Sequence, residues 1–482
     1  MQRNTLYLTL AAVALTACSS SVPESEAMEE KLVTVGMHFT TEAMTATRAG
    51  TLGSMSDDVL QDVGAGVFAY YTGSTPWATA AATARPNFMY NQWVDYDPTA
   101  REWQYTPLKY WPNDNQPADD EGAQGSVANS YVSFFAYAPY VASPLTPGAS
   151  ETGIIGFSAN DATGAPHVTY RLSASGTQQV DLLWGTRGKT SYAQASGETN
   201  VADLSAGNVV NTDLTKQTTT ERVDFLFKHA LACVDIYVQR VYDEMSPSGK
   251  APAAESTRIY VSRLALEVAP GGMAVEGQLN LATGAFDQGL GRNTDAFAVV
   301  IDSTRIRSGL VGSQLPNSYL TEVRGMELND FASHEGVNAT LQRLTNETFA
   351  TMFIPVADEA VTVTPSVTYS FVTEDDALEH GLTNTTATHR YARILHSGIA
   401  GSAVTIGTEY DDGGVKKYRL EAGKRYVLVC YIGVESVQYE VVGIEDWDFP
   451  LRFTPSVTTF KNVDYNKGEQ TPSEWQGKTV NE

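Results

Sequence analysis

The chain has 482 residues, a formal net charge of −24, 42% hydrophobic and 18% charged residues, and three cysteines. Ordinary glycine and proline usage with so few cysteines excludes collagen-like, low-complexity and disulfide-framework chains, and the modest charge excludes a wholly disordered acidic one. The excess of 56 acids over 32 bases repels phosphate backbones and removes nucleic acid from the expected partners.

The N-terminus reads MQRNTLYLTLAAVALTACSS. Arg3 precedes an apolar run, Leu6 to Ala17, that is too short for a permanent membrane helix and suits an export signal. Leu15-Thr16-Ala17-Cys18 is similar to a lipobox, in which the cysteine is acylated and the chain is cut before it. Residues 1–17 then form the signal peptide and Cys18 the lipidation site, with acyl chains in the outer membrane as the only membrane attachment. The alternative is an ordinary signal peptide that contains a cysteine. Ser19 to Glu30 reads as a polar, acidic tether.

Strand patterns follow. Val33, Val35, Met37 and Phe39 alternate with Thr34, Gly36 and His38, as in a half-buried strand. Gly66–Tyr71 and Tyr131–Tyr137 are short aromatic and β-branched runs, the second ended by Pro139. Val223, Phe225 and Phe227 alternate, and Val234, Ile236 and Val238 do so in the opposite phase, which predicts a bulge near Ala230–Cys233. Further strands are expected at Ile259–Val268, Phe297–Ile301, Val361–Val372 and Tyr426–Val434, with a short helix over Leu320–Phe331. Val404–Tyr410 and Val415–Leu420 read as a hairpin turning through Asp411-Asp412-Gly413-Gly414, whose Asp-Gly step suits a type I′ turn. Many short strands separated by turn residues predict β-sandwiches. The polar stretch Asp243–Thr257 is the best domain boundary, dividing an N-terminal sandwich, 49–246, from a C-terminal one, 247–447.

Few residues point to chemistry. Seven histidines are scattered, none in a ligand or catalytic spacing, and are expected at solvated loops or strand ends. Phosphate-binding and nucleophile-elbow motifs are absent. The acidic groups at Asp119–Glu121, Glu374–Asp376 and Asp411–Asp412 lack calcium-loop spacing, so no metal and no cofactor is expected. Cys233 and Cys430 are expected in different domains, as two separate free thiols, each buried or half-buried. Trp93, Trp103 and Trp111 lie in an aromatic segment, Phe88–Trp111, with two readings: a sugar-stacking platform, or large rings closing one end of a sandwich.

The order of these motifs resembles the fimbrillin family of Bacteroidales, the type V pilus subunits and their Mfa-like relatives. The resemblance is carried by the lipobox, Val33–Phe39, Thr47-Arg48-Ala49, Val67-Phe68-Ala69-Tyr70, Trp103–Pro107 leading to Tyr110-Trp111-Pro112, and Phe134–Pro139. It continues through Asp181–Trp184, Phe225–Leu231, Phe353-Ile354-Pro355, Leu420–Tyr426 and Trp447. Cys233 departs from the basic residue common there in relatives.

The resemblance implies an all-β chain of two transthyretin-like β-sandwich domains in tandem, with no enzymatic activity. It also implies a surface lipoprotein that an Arg-specific protease cuts, and polymerisation by strand exchange into a fimbrium. Laid onto this sequence, the cut falls between Arg48 and Ala49, so that residues 18–48 leave with the strand containing Val33, Val35, Met37 and Phe39. In the C-terminal tail, 448–482, Phe449, Leu451, Phe453 and Val457 share one face and form the candidate donor strand, although Pro455 interrupts it and the stretch can equally complete its own domain. The expected partners are other pilin subunits, outer-membrane lipid and a host or bacterial surface receptor. A lipid-anchored glycan-binding protein, or a pilus anchor or tip subunit in which Arg48 stays uncut, are the alternatives.

Overall fold

The structure is a computed structural model that describes residues 34–41, 55–112, 130–142, 145, 152–174, 178–188, 209–216, 219, 222–240, 257–301, 306, 325–328, 342–345, 351–374, 382–383, 390–432 and 437–447. All of them belong to one compact unit, Val33–Glu482. The chain is all-β, built from several sheets, with two short helices among the described residues.

The largest sheet contains β1 (Met37–Thr41), β2 (Ala65–Gly73), β3 (Met89–Asp97), β4 (Glu102–Gln104) and β5 (Tyr131–Ala138). Its order is β1, Val223–His229, Leu183–Arg187, β5, β2, β3, β4, with Asn211–Leu214 also paired to β5. Strict alternation gives this sheet two buried faces. Val67, Ala69, Phe134, Ala136, Phe225 and Phe227 line an inner core. Phe68, Tyr70, Phe135 and Tyr137 face a second core shared with strands from later in the chain.

Helix α1 (Asp57–Val63) covers part of the inner core through Val59 and Leu60. Ser56 Oγ accepts the Val59 N–H at its start, 3.5 Å away, and Gly64 ends it with φ of 68°. This seven-residue helix has no sequence-based expectation behind it. Its cap signals are present, but it is too short to show helical periodicity.

The expected strands are found, with four differences. No bulge joins the two phases at Ala230–Cys233: the chain leaves the first sheet after His229 and enters another at Ala232, so the flip marks a change of sheet. Within Leu320–Phe331 the described residues include a short strand, Met326–Glu327, paired with Thr257–Val268, because its buried groups complete a sheet instead of a helix. Val404–Ile406 pairs with Val361–Glu374 and not with the hairpin. The hairpin itself joins Thr408–Asp412 to Val415–Arg419 through Gly413-Gly414, with φ of 67° and 91°, one step later than the Asp-Gly pair.

Two sheets take strands from both sides of residue 246. Ala232–Arg240 runs parallel to Lys424–Ile432, and His167–Arg171 pairs with Ala274–Asn280. Cys233 and Cys430 lie on the neighbouring strands of the first of these, Cys233 opposite Arg425 and Cys430 opposite Val238. Both are free and buried. Burial pushes the Cys430 thiol up to about 12 and the Cys233 thiol well above its ordinary value, so neither is poised as a nucleophile.

Candidate functional site: the seat of the first strand

β1 lies at the edge of the largest sheet, yet it is not an exposed edge. On one side it runs parallel to Val223–His229, with Met37 opposite Val223, Phe39 opposite Phe225 and Thr41 opposite Phe227. The Val223 N–H donates to Gly36 O at 2.7 Å. On the other side the stretch just before β1 meets the segment after β4, the last strand of the same sheet. Thr34 bridges Tyr110 in antiparallel fashion, the Val35 N–H donates to Lys109 O at 2.8 Å, and the Tyr105 hydroxyl donates to Val35 O at 2.7 Å. Residues 34–41 therefore join the two ends of a curled sheet.

The side chains match this position. Val35, Met37 and Phe39 are 1%, 1% and 3% exposed. The Phe39 ring meets Trp103 edge-on at 4.9 Å and packs against Phe225 at 5.3 Å and Phe227 at 5.4 Å. Burying three such side chains is worth about 5–9 kcal/mol, the scale of a whole domain's net stability. Taking this strand away would uncover the inner core and leave unpaired backbone groups along both sides of the gap.

The opposite face of β1 is polar and also buried. His38 Nδ1 sits 3.4 Å from Asp224 Oδ1, to which the Arg222 Nε–H donates at 2.7 Å. Burial lowers the His38 pKa below its ordinary value of 6.5; the hydrogen bond to Asp224 opposes this and the Arg222 charge adds to it. The expectation that the histidines are solvated therefore fails at His38, and again at His229, whose Nδ1 is 2.6 Å from the buried Asp181 Oδ2. Asp181 Oδ2 also accepts the Met55 N–H at 2.9 Å, and the Trp447 indole stacks on the His229 ring at 3.9 Å. Both carboxylate partners are distant in sequence, and no local spacing announces either pair.

The structure brings Val35, Met37 and Phe39 together in one core. Val33, Cys18, Arg48, Ala49, Phe449, Leu451, Phe453 and Val457 lie outside the described residues. The three tryptophans do not form a platform. Trp103 and Trp111 are buried in the inner core, as in the packing alternative, while Trp93 is 49% exposed and stacks on Tyr140 at 5.5 Å. A Cβ added at Gly64 would come 2.7 Å from Trp93 Nε1, so the glycine lets the indole edge lie close to the backbone. Among the described residues no group of three or more His, Cys, Asp or Glu side chains is placed to hold a metal ion, and no helix is long and apolar enough to cross a membrane.

Fold and site together define a multi-sheet β protein whose N-terminal strand closes a core formed by much later strands. No family model matches the chain. It is 29% identical over 188 residues to the fimbrium subunit Fim1C of Phocaeicola vulgatus, a match covering 38% of this chain and 42% of that relative, less than half its length. In three dimensions it is similar to the crystal structure of a fimbrial protein from Bacteroides vulgatus, with a TM-score of 0.55 and 19% identity over 86% of this chain and 99% of that one. At that identity the likeness establishes the fold. The proteins this chain is similar to are thus fimbrial ones, not enzymes, in agreement with the motif order.

Proposed function

We propose that this chain is a non-catalytic subunit of a bacterial surface fimbria, exported as a lipoprotein through Cys18 and assembled by strand exchange after cleavage between Arg48 and Ala49. The observation that carries the reading is the buried strand joining both ends of the curled sheet. Its removal exposes a groove that only another strand can refill, by adding main-chain hydrogen bonds on two sides and apolar side chains between them. The cleavage point falls in the connection between this strand and α1, so a single cut separates the strand from the body.

In this reading residues 1–17 are removed on export, 18–48 leave with the lipid, and the body divides covalently into 49–246 and 247–447. Strands shared between sheets join the two halves. Other pilin subunits are the partners, the cell surface is the location, and the tail 448–482 supplies the donor strand. An anchor subunit would keep Arg48 intact and retain its acyl chains.

N-terminal sequencing of the protein recovered from the cell surface tests this. A blocked, lipid-bearing Cys18 in the precursor and a free Ala49 in denaturant-resistant polymers are the expected results. A chain that starts at neither residue, and stays monomeric after β1 has been cut free, sinks the reading.

A further inference from the structure

Large apolar side chains stand in water beside the stretch that leads into β1. Leu108, Tyr110 and Trp93 are 53%, 43% and 49% exposed. Leu108 and Tyr110 belong to the segment after β4, the one that Thr34 and Val35 meet. Trp93 lies on β3, where the neighbouring Gln92 donates through Nε2 to Thr106 O at 3.0 Å. Asp95 of β3 is opposite Gln104 of β4; continued by two residues, that register brings Trp93 level with Thr106. The indole therefore lies beside the same exposed segment.

We propose that this face rests in the lipid interface of the outer membrane while the chain is anchored through Cys18, with Leu108, Tyr110 and Trp93 entering the headgroup region. This rests on the lipoprotein reading above and adds the surface by which the anchored chain meets the lipid. From Thr34 the chain runs back only sixteen residues to Cys18. A flexible polar stretch of that length spans about 22 Å root-mean-square, so the end of β1 that bridges Tyr110 is held at the membrane surface. An attraction too weak to detect between free chain and lipid is enough when a tether keeps both within reach. The side chains suit such a surface. Trp and Tyr rings gather at headgroup level, and Lys109, between Leu108 and Tyr110, has an apolar stem that lets its amine stay wet. Charge does not carry the contact: the chain has a net charge of −24, and Ser19 to Glu30 contains four acids and no base. Anionic lipid repels it, so burial of the apolar groups supplies the attraction.

The backbone of the segment is prepared for a place with little water. Lys109 O accepts the Val35 N–H at 2.8 Å, and the Lys109 N–H donates to the Tyr105 hydroxyl at 3.2 Å. Thr106 O accepts from Gln92, and Pro107 has no N–H to satisfy. Groups already paired cost little to bring into the interface, whereas unpaired ones oppose it. The partners of Lys109 O and of Tyr110 belong to the stretch leading into β1. Loss of β1 therefore removes the tether and also leaves Lys109 O in need of water, so the processed body lets go of the bilayer.

The test anchors the mature chain, residues 18–482, to phosphatidylcholine vesicles by coupling the Cys18 thiol to a maleimide-bearing lipid. Cys233 and Cys430 are buried and leave the coupling to Cys18. Trp93 is the one exposed tryptophan among the described residues, so its emission reports contact with lipid. Vesicles with brominated acyl chains are expected to quench part of the emission, and that part is expected to be missing in Trp93→Phe. Leu108→Asp is expected to abolish the quenching with an unchanged urea midpoint, and Leu108→Met to retain it. At about 0.5 M salt, where charges are screened beyond roughly 4 Å, the quenching is expected to persist.

An anchored chain that is not quenched, or one whose quenching survives Leu108→Asp, overturns the proposal, because the bilayer then meets another face or none. Quenching that vanishes in high salt overturns it too, since charge would then hold the chain at the surface. The chemical anchor separates these outcomes from the lipoprotein reading. If mass spectrometry of the protein from cells shows Cys18 without acyl chains, that reading fails and the contact has no place in the cell. If Cys18 is acylated and the anchored chain is not quenched, the contact fails alone.

Discussion

The Val223–His229 strand carries a buried histidine–aspartate pair at each end, and the two pairs hold different things. At the beginning, Asp224 belongs to the strand and His38 to β1, so the pair joins the body to a short segment that also pairs with Val223–His229 and meets Lys109 and Tyr110. At the end, His229 belongs to the strand and Asp181 to the body, and the same carboxylate oxygen holds the Met55 N–H leading into α1. Trp447 lies on the His229 ring. One end therefore retains a strand that, in the proposed processing, a cut in the connection would free, and the other ties Met55 and Trp447 to the body. The same residue types serve both ends; what differs is how many other elements each pair holds.

The largest expected effect tests the fixed end. Asp181→Ala removes the acceptor of both the Met55 N–H and His229, inside a fully buried site. It is expected to lower unfolding free energy by about 3–5 kcal/mol, measured by urea unfolding. Hydrogen exchange should rise together at Met55–Val63 and Val437–Trp447. If exchange rises at only one of these, the His229 end is not a common tie, and the contrast between the two ends breaks.

A smaller effect is expected at the other end. Met37→Ala should cost about 2–3 kcal/mol, and the loss should appear as release of residues 34–41 and faster exchange along Val223–Phe227, with the fixed end still protected. A uniform loss of protection across the chain would show that β1 is an ordinary part of one cooperative core.

The fold was legible in the sequence where a local pattern sufficed. Period-two alternation marks Val35, Met37 and Phe39 as a buried face and marks the Val223–His229 strand in the same way, whereas β2 and β5 are legible as short aromatic and β-branched runs. Pairing is another matter, because backbone hydrogen bonds carry no sequence label. That β1 lies parallel to a strand beginning at Val223 depends on packing of rings far apart in the chain. The phase flip at Ala230–Cys233 reported a real discontinuity, but a bulge and a change of sheet give the same alternation. His38 and His229 were misplaced for a related reason: a buried histidine is recognised by its carboxylate, and Asp224 and Asp181 are brought to them only by the fold.

The pH response separates the ends without a large perturbation. Because burial holds the His38 pKa below 6.5, a freed strand takes up the proton at a higher pH than a seated one. Seating is therefore fully favoured above the ordinary value and weakens as pH falls through it, levelling off once the seated histidine is itself protonated. Protection at residues 34–41, corrected for the intrinsic pH dependence of amide exchange, should fall as pH is lowered from about 7.5 to about 5, and His38→Gln should flatten that fall. A fall that persists unchanged in the variant would place the titrating group elsewhere.

A substitution touching neither end sets the zero of this scale. Trp93 belongs to the same aromatic segment as Trp103, but it is half exposed and stacks on Tyr140, whereas Trp103 sits edge-on to Phe39. Trp93→Ala is expected to change unfolding free energy by no more than about 0.5 kcal/mol, the usual range for a half-exposed surface site. Exchange at both ends of Val223–His229 should be unaffected. A loss of about 2 kcal/mol or more by urea unfolding, the order of a buried-ring truncation, would mean that the Trp93–Tyr140 stack braces β3 and through it the curled sheet. The first strand would then be held by more of the aromatic segment than the Phe39–Trp103 contact.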